Sequence, residues 1–166
     1  GQSPVWEVSK DDQTLYLGGT CHILRKSDFP LPNEFNVAYR EADVLVLEAD
    51  PSQMQDPATA TQLMMKARYT DGRTLKTVLS KEVYAALAAR GQASGIPIEV
   101  LNGLKPGMAV MMLTIQELMK IGVTQEGVDM VFARRAREDG KPMRSLETVA
   151  FQIDLITSIG DGIEDE

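Results

Sequence analysis

The order strand, helix, strand near the amino terminus constrains the fold more than any other feature. Thr14–Leu17 is a short run of β-forming residues, and Val44–Leu47 is a second run that is apolar at every position. Between them, from Phe35 to Ala42, apolar residues recur at helical spacing. This order predicts a βαβ unit with parallel strands and a right-handed crossover. An unbroken apolar run is typical of a strand that is covered on both faces.

The rest of the chain reads mainly as helices. Val5–Val8 is followed by a polar turn, which predicts a hairpin with Thr14–Leu17. Helices are predicted to begin at or just after Asn33, Asp56, Ser80, Pro106, Val128 and Thr148. We expect the helix after Ser80 to end near Gly91, whereas Ile98–Leu101 fits a helix or a strand equally well. The predicted fold class is α/β, with α+β as the alternative: a small mixed sheet with a βαβ unit, flanked by several helices.

Composition indicates one globular domain over residues 1–166, with a flexible tail at 160–166. Apolar residues make up 43% of the chain, and the net charge is −7. This acidic balance argues against a nucleic-acid partner, and we interpret the basic run Arg134–Arg137 as a solvated helix face. No apolar run is long enough to span a membrane. Because the first residue is not methionine, we expect either a removed signal peptide or a shortened start.

The only histidine and the only cysteine are neighbours in Gly18-Gly19-Thr20-Cys21-His22. This stretch follows the strand Thr14–Leu17 directly. In parallel sheets, ligands bind outside the carboxyl ends of the strands. His22 follows one predicted strand and Glu48 ends the next, so the two side chains are expected at the same edge of the sheet. Glu147 ends the short extended run Lys141–Leu146 and repeats the pattern of Glu48.

A histidine and two carboxylates can bind a divalent metal such as Zn, Mn or Fe. A bound metal supplies a nucleophile from water, and a spare carboxylate acts as general base. The alternative is that His22 is a hydrogen-bonded residue at a strand end and that the acids are helix caps. We expect Cys21 to be a small packing residue rather than a nucleophile, since Cys21 and its neighbour His22 would point to opposite faces of an extended chain. The methionine-rich stretch after Pro106 fits core packing better than a partner groove.

Several blocks of sequence resemble the TraB/PrgY/GumN family, which includes the TIKI proteases. They are Trp6-Glu7-Val8, the Gly-x-x-His motif Gly19–His22, the acidic Glu48, Gly127-Val128-Asp129, Gly140-Lys141-Pro142 and Leu146-Glu147-Thr148. The resemblance implies a metal-dependent hydrolase, peptidase-like, with a divalent ion (Mn, Co, Zn or Fe) as cofactor. In that reading His22 and Glu48 are metal ligands, Glu48 and Glu147 are catalytic acids or bases, and Gly19 and Thr20 contact a peptide or protein substrate. The alternative is a non-catalytic module of the same fold that binds peptide or haem.

The resemblance also implies a longer protein with a second Gly-x-x-His, whereas this chain has one histidine. We therefore expect an amino-terminal half or a shortened member, which would form a homodimer or associate with a missing carboxyl-terminal half. Bacterial members of the GumN branch carry a secretory signal, so a periplasmic or extracellular location is expected.

Overall fold

The computed structural model describes residues 3–162, and the chain divides into two compact units. Unit 1 comprises the residues up to Gln53 together with Gly122–Thr148, and unit 2 comprises Met54–Ile121 and the residues from Val149 onward. In chain order the elements are β1 (Val5–Lys10), β2 (Gln13–Gly18), a 3-10 turn (Lys26–Asp28), α1 (Asn33–Glu41), β3 (Leu45–Leu47), α2 (Pro51–Met54), α3 (Pro57–Lys66), α4 (Leu75–Val78), α5 (Lys81–Ser94), α6 (Ile98–Leu101), α7 (Pro106–Lys120), α8 (Val128–Asp139), β4 (Met143–Ser145) and α9 (Val149–Ser158).

Helices and two small sheets confirm the predicted mixed α/β class, but the predicted βαβ pairing is wrong. Strand β2 pairs antiparallel with β1, whereas β3 pairs in parallel with β4. The β1–β2 hairpin closes through a short polar turn in which Asp11 has a φ of 53°. A local hairpin costs less loop-closure entropy than a crossover, and this favours the pairing of β2 with its neighbour along the chain.

The hairpin carries an exposed apolar face. Trp6 lies opposite Leu17, and Val8 lies opposite Leu15. Each of these four side chains is at least half exposed. The pairing continues past the strand, because Gly19 N donates to Pro4 O at 2.7 Å. The hairpin therefore extends to within three residues of His22.

The core of unit 1 joins α1 to α8. Phe35 and Tyr39 of α1 are buried against Phe132 of α8, with ring centroids 6.0 and 5.4 Å apart. Ala136, one turn further along α8, is fully buried. This aromatic contact fixes the orientation of α8, whose first turn reaches the candidate site.

The core of unit 2 is built mainly from α7 and the residues before it. Its fully buried or nearly buried members are Ala67, Leu75, Leu101, Leu104, Met108, Ala109 and Leu113. Met108 lies in this core, and Met111 and Met112 pack against it, as the core-packing interpretation of the methionines predicts. Asp56 caps α3 by accepting from Ala58 N at 2.7 Å, and Ser80 caps α5 by accepting from Val83 N at 3.3 Å. Both predicted caps are confirmed.

The helix α5 does not end at Gly91, contrary to the prediction. It continues to Ser94 and ends at Gly95, which has a φ of 79°. Gly91 is instead needed for packing, because a Cβ there would lie 2.6 Å from the carbonyl oxygen of Ile96. The ambiguous segment Ile98–Leu101 is the short helix α6.

The predicted flexible tail lies only partly within the described residues. Asp161 accepts a hydrogen bond from Lys105 Nζ at 3.1 Å, while residues 163–166 lie outside the part described.

Across residues 3–162, no helix combines the length and the apolar character that crossing a bilayer requires. The division into two compact units does not test whether the chain is a single domain. The single domain therefore stays a prediction.

Candidate functional site

His22 is held by its backbone against the segment that leads into α8. Val128 N donates to Cys21 O at 3.0 Å, and Leu24 N donates to Glu126 O at 3.1 Å. Thr124 donates to Leu24 O through its backbone nitrogen and also through its hydroxyl, each at 2.8 Å. These bonds come from both sides of His22, so the position of its Cα is fixed although its side chain is exposed.

Gly127 makes this close contact possible. A Cβ at Gly127 would overlap the carbonyl oxygen of Cys21 and the carbonyl group of His22. The φ of Gly127 is −110°, which any residue adopts, so the requirement is for space. Gly127 is also the N-cap residue of α8, and the helix therefore begins directly against the backbone of His22.

Glu48 and Glu147 lie side by side at the carboxyl ends of β3 and β4. Leu146 N donates to Leu47 O at 2.9 Å, and Glu147 N donates to Glu48 O at 2.8 Å. The backbone contact between the two segments thus continues for one residue beyond β3 and for two residues beyond β4. Its register brings the two acids together as the sequence pattern predicts, although the sheet is not the one expected.

The loop that follows Glu48 is tied to α8. Asp50 Oδ1 accepts from Ser52 N at 3.0 Å and from its hydroxyl at 2.7 Å. The same oxygen pairs with Arg137 at 2.6 Å. Since α8 also contacts β3, the helix links the strand that carries Glu48 to the segment that carries His22.

His22 and Glu48 face each other. The distance from His22 Nε2 to Glu48 Oε2 is 3.7 Å, and the side chains are 69% and 51% exposed. This separation is too long for a hydrogen bond. An exposed ion pair of this kind contributes little to stability. Neither a hydrogen bond nor a gain in stability therefore explains why the two groups are placed together.

Asp129, the second residue of α8, approaches the other nitrogen of the ring. Its Oδ2 lies 2.9 Å from His22 Nδ1, and its side chain is only 8% exposed. The contact is short enough for an ion pair but lacks the alignment of a hydrogen bond. Within residues 3–162 this buried oxygen has no hydrogen-bond partner. A buried carboxylate oxygen without a donor is costly, so its position beside the ring requires an explanation.

The donor chemistry of His22 and Glu48 suits a divalent metal in part. Two atoms that each lie about 2.0–2.2 Å from one ion can be at most about 4.4 Å apart, and the 3.7 Å between Nε2 and Oε2 satisfies this limit. Among the described residues no group of three His, Cys, Asp or Glu side chains could hold a metal ion. The pair therefore meets the distance limit for two ligands of one ion, and the described residues add no third ligand.

The other predicted site residues occupy less definite places. Glu147 is half-buried beside Glu48, and Gly19 and Thr20 are exposed on the chain between the hairpin and His22. Neither Gly18 nor Gly19 has a positive φ. Gly18 instead allows close packing, since a Cβ there would lie 3.2 Å from the Phe35 ring. Cys21 donates to Ile23 O at 3.1 Å and is exposed, so the expectation of a packed cysteine is wrong.

Asp129 is the site residue that sequence reasoning missed. It is 107 positions from His22 along the chain, and as an acid in the first turn of a helix it has an ordinary structural explanation.

The arginines of Arg134–Arg137 make specific contacts. Arg134 pairs with Glu126 at 2.6 Å, Arg135 donates to Asn36 at 2.9 Å, and Arg137 pairs with Asp50. These contacts connect α8 to other segments of unit 1.

The family of the chain follows from comparison with known proteins. The model of the TraB/PrgY/gumN family matches residues 4–166. The chain belongs to this family. Two relatives are uncharacterized proteins named YbaP: that of Escherichia coli strain K12 is 25% identical over 148 residues, and that of Shigella flexneri is 25% identical over 147 residues. The alignments cover 89% and 88% of this chain and 53% of each relative, so this TraB/PrgY/gumN member spans about half the length of the curated relatives it matches. No solved structure matches the chain significantly.

Proposed function

We propose that unit 1 supplies two ligands of the divalent-metal site of a hydrolase that acts on peptide bonds. His22 would bind the ion through Nε2, and Glu48 would bind it through a carboxylate oxygen. The observation that carries the proposal is the 3.7 Å separation of these two atoms. A divalent ion held by these two residues would supply Lewis-acid chemistry, which polarises a carbonyl and activates water.

The residues of the chain divide the remaining work. Glu48 is half exposed, and the carboxylate oxygen that does not bind the ion would accept a proton from an attacking water. Glu147, bonded through its backbone to Glu48, would place a second acid at the same rim for the leaving group. Gly19 and Thr20, between the hairpin and His22, would contact the substrate backbone.

Metal content and peptide hydrolysis, measured with and without a chelator, test this proposal. His22→Ala removes a ligand and should abolish both metal retention and hydrolysis. Glu48→Gln keeps the shape of the side chain but removes the base, and should lower the hydrolysis rate about 10²–10⁴-fold. Glu138→Gln, an exposed acid on α8, is the matched control and should behave as the wild type. Metal content and hydrolysis that are unchanged in both site variants would refute the proposal.

A second candidate, a peptide-binding module without turnover, is favoured by the hairpin. Trp6, Val8, Leu15 and Leu17 expose one apolar face, and β2 leads directly into the segment that carries His22. An extended peptide could pair with a strand edge of such a hairpin. Peptide binding that Trp6→Ser weakens, with no hydrolysis under any metal condition, would favour this candidate over the hydrolase.

The relatives' greater length bears on what the whole protein does. A segment that corresponds to the other half of the relatives would supply the remaining ligands. A second copy of this chain would be the alternative source. Both associations are proposals. A periplasmic or extracellular location stays a prediction.

A further inference from the structure

We propose that Asp129 is the positioning residue of His22. Its carboxylate would accept the Nδ1 hydrogen of the ring, so that Nε2 keeps its lone pair and points toward Glu48. The functional consequence rests on the proposed metal site, whereas the tautomer itself does not depend on any metal.

The fold brings Asp129 to the ring through a chain of specific contacts. Gly127 packs on the backbone of His22, and α8 starts at the next residue. Phe132, one turn beyond Asp129, is stacked on Phe35 and so fixes the rotation of the helix. The backbone of Asp129 therefore cannot move away from His22 unless the core of unit 1 is disturbed.

The ordinary explanation of Asp129 is incomplete. An acid in the first turn of a helix interacts favourably with the helix dipole, but an exposed acid would serve this purpose equally well. Asp129 is 92% buried, and its Oδ2 faces Nδ1 at 2.9 Å without a hydrogen-bond partner among the described residues. A small rotation of the exposed imidazole would provide the missing donor.

Glu48 would favour the opposite tautomer, with the proton on Nε2. Two observations make Asp129 the stronger partner. Its oxygen lies 2.9 Å from the ring, compared with 3.7 Å for that of Glu48. The side chain of Asp129 is also largely buried. Charge interactions of buried groups are screened less than those of groups in water. We therefore expect the neutral ring to carry its proton on Nδ1.

This arrangement prepares the ring to bind a metal. Metal-binding histidines commonly donate their second ring N–H to a carboxylate, which fixes the orientation of the ring and makes the ligating nitrogen more basic. Loss of such a carboxylate typically lowers metal affinity about 10–100-fold. Asp129 would have this role toward Nε2 of His22.

Nitrogen NMR of the imidazole tests the inference without any metal. The chain has one histidine, so histidine labelled with ¹⁵N gives signals from His22 alone. At a pH where the same spectra show a neutral ring, the wild type should be mainly the Nδ1–H tautomer. Asp129→Leu, which removes the acceptor, should abolish this preference and weaken Zn²⁺ binding about 10–100-fold. Glu138→Gln on the same helix should change neither property.

The wild-type spectrum decides the question even if Asp129→Leu does not fold. A wild-type ring that is mainly Nε2–H would overturn the inference, and so would a tautomer ratio that is equal in wild type and folded Asp129→Leu. An Nδ1–H tautomer that depends on Asp129, in a chain that binds no Zn²⁺, would support the inference while removing the proposed function.

Discussion

Tyr39 shows how strongly one residue depends on its surroundings in unit 1. It is buried beside Phe132, and its hydroxyl donates to Asp139 at 2.8 Å. Burial, and then this hydrogen bond, raise the pKa of Tyr39 to about 12, while the nearby Arg135 acts in the opposite direction. Lys141 donates to the carbonyl oxygens of Tyr39 and Ala42 and covers the ring from one side.

This environment predicts a loss of stability at high pH. The pKa of Tyr39 is higher in the folded chain than the ordinary value of 10.0, so the unfolded state releases the proton first. The contribution is complete below pH 10 and is lost as pH rises toward about 12. Urea unfolding across this range should show the decline in wild type and a smaller decline in Tyr39→Phe. Tyr84→Phe is the control in unit 2, and equal declines in all three proteins would contradict the prediction.

Single residues near the site could be predicted only where the chemistry is local. His22 and Glu48 each follow a run of β-forming residues, and this pattern was enough to select both as candidates. Because β2 and β3 lie in different sheets, their close approach does not come from the shared sheet edge that was predicted. Asp129 lies in the family-like block Gly127-Val128-Asp129, but no role was predicted for it, because its partner lies on a distant segment and its position alone is typical of a helix start. Gly127 is similar, since its need for space arises only from contact with Cys21 and His22.

At the scale of elements, the sequence predicted which segments are helical better than how the strands pair. The helices after Asp56, Ser80 and Pro106 begin as their capping residues and prolines predict. Strand pairing was harder, since β3 has three residues and its partner β4 lies about 100 residues later. The hydrophobic pattern of β3 does not indicate which distant strand completes it.

Gly91 in α5 provides a test of an element boundary. In an open helix, Gly→Ala stabilises by about 1 kcal/mol. At Gly91 the added Cβ would meet the Ile96 backbone at 2.6 Å, so Gly91→Ala should instead lower the free energy of unfolding by about 1–3 kcal/mol. Gly103→Ala, whose Cβ would meet only Arg68 at 3.7 Å, is the matched control. Thermal unfolding should show a lower Tm for Gly91→Ala alone, and a raised Tm would show that α5 does not pack in this way.

At the scale of the whole molecule, each unit has its own hydrophobic core. The candidate site belongs to unit 1, where Glu48 lies near Nε2 of the His22 ring and Asp129 lies near Nδ1. Membership of the TraB/PrgY/gumN family covers both units. The full ligand set of the proposed metal site could not be predicted from this chain, since the alignments cover 53% of each relative and the described residues supply two facing donors.

The most direct test of the proposed metal site is a Zn²⁺ titration of the ¹⁵N-histidine-labelled chain. Zn²⁺ is diamagnetic, so the His22 signals stay observable throughout. We predict a large shift of the Nε2 signal and a small shift of Nδ1, with weaker binding in Glu48→Gln and wild-type binding in Glu138→Gln. Imidazole signals that do not respond to Zn²⁺, or a response centred on Nδ1, would contradict the account.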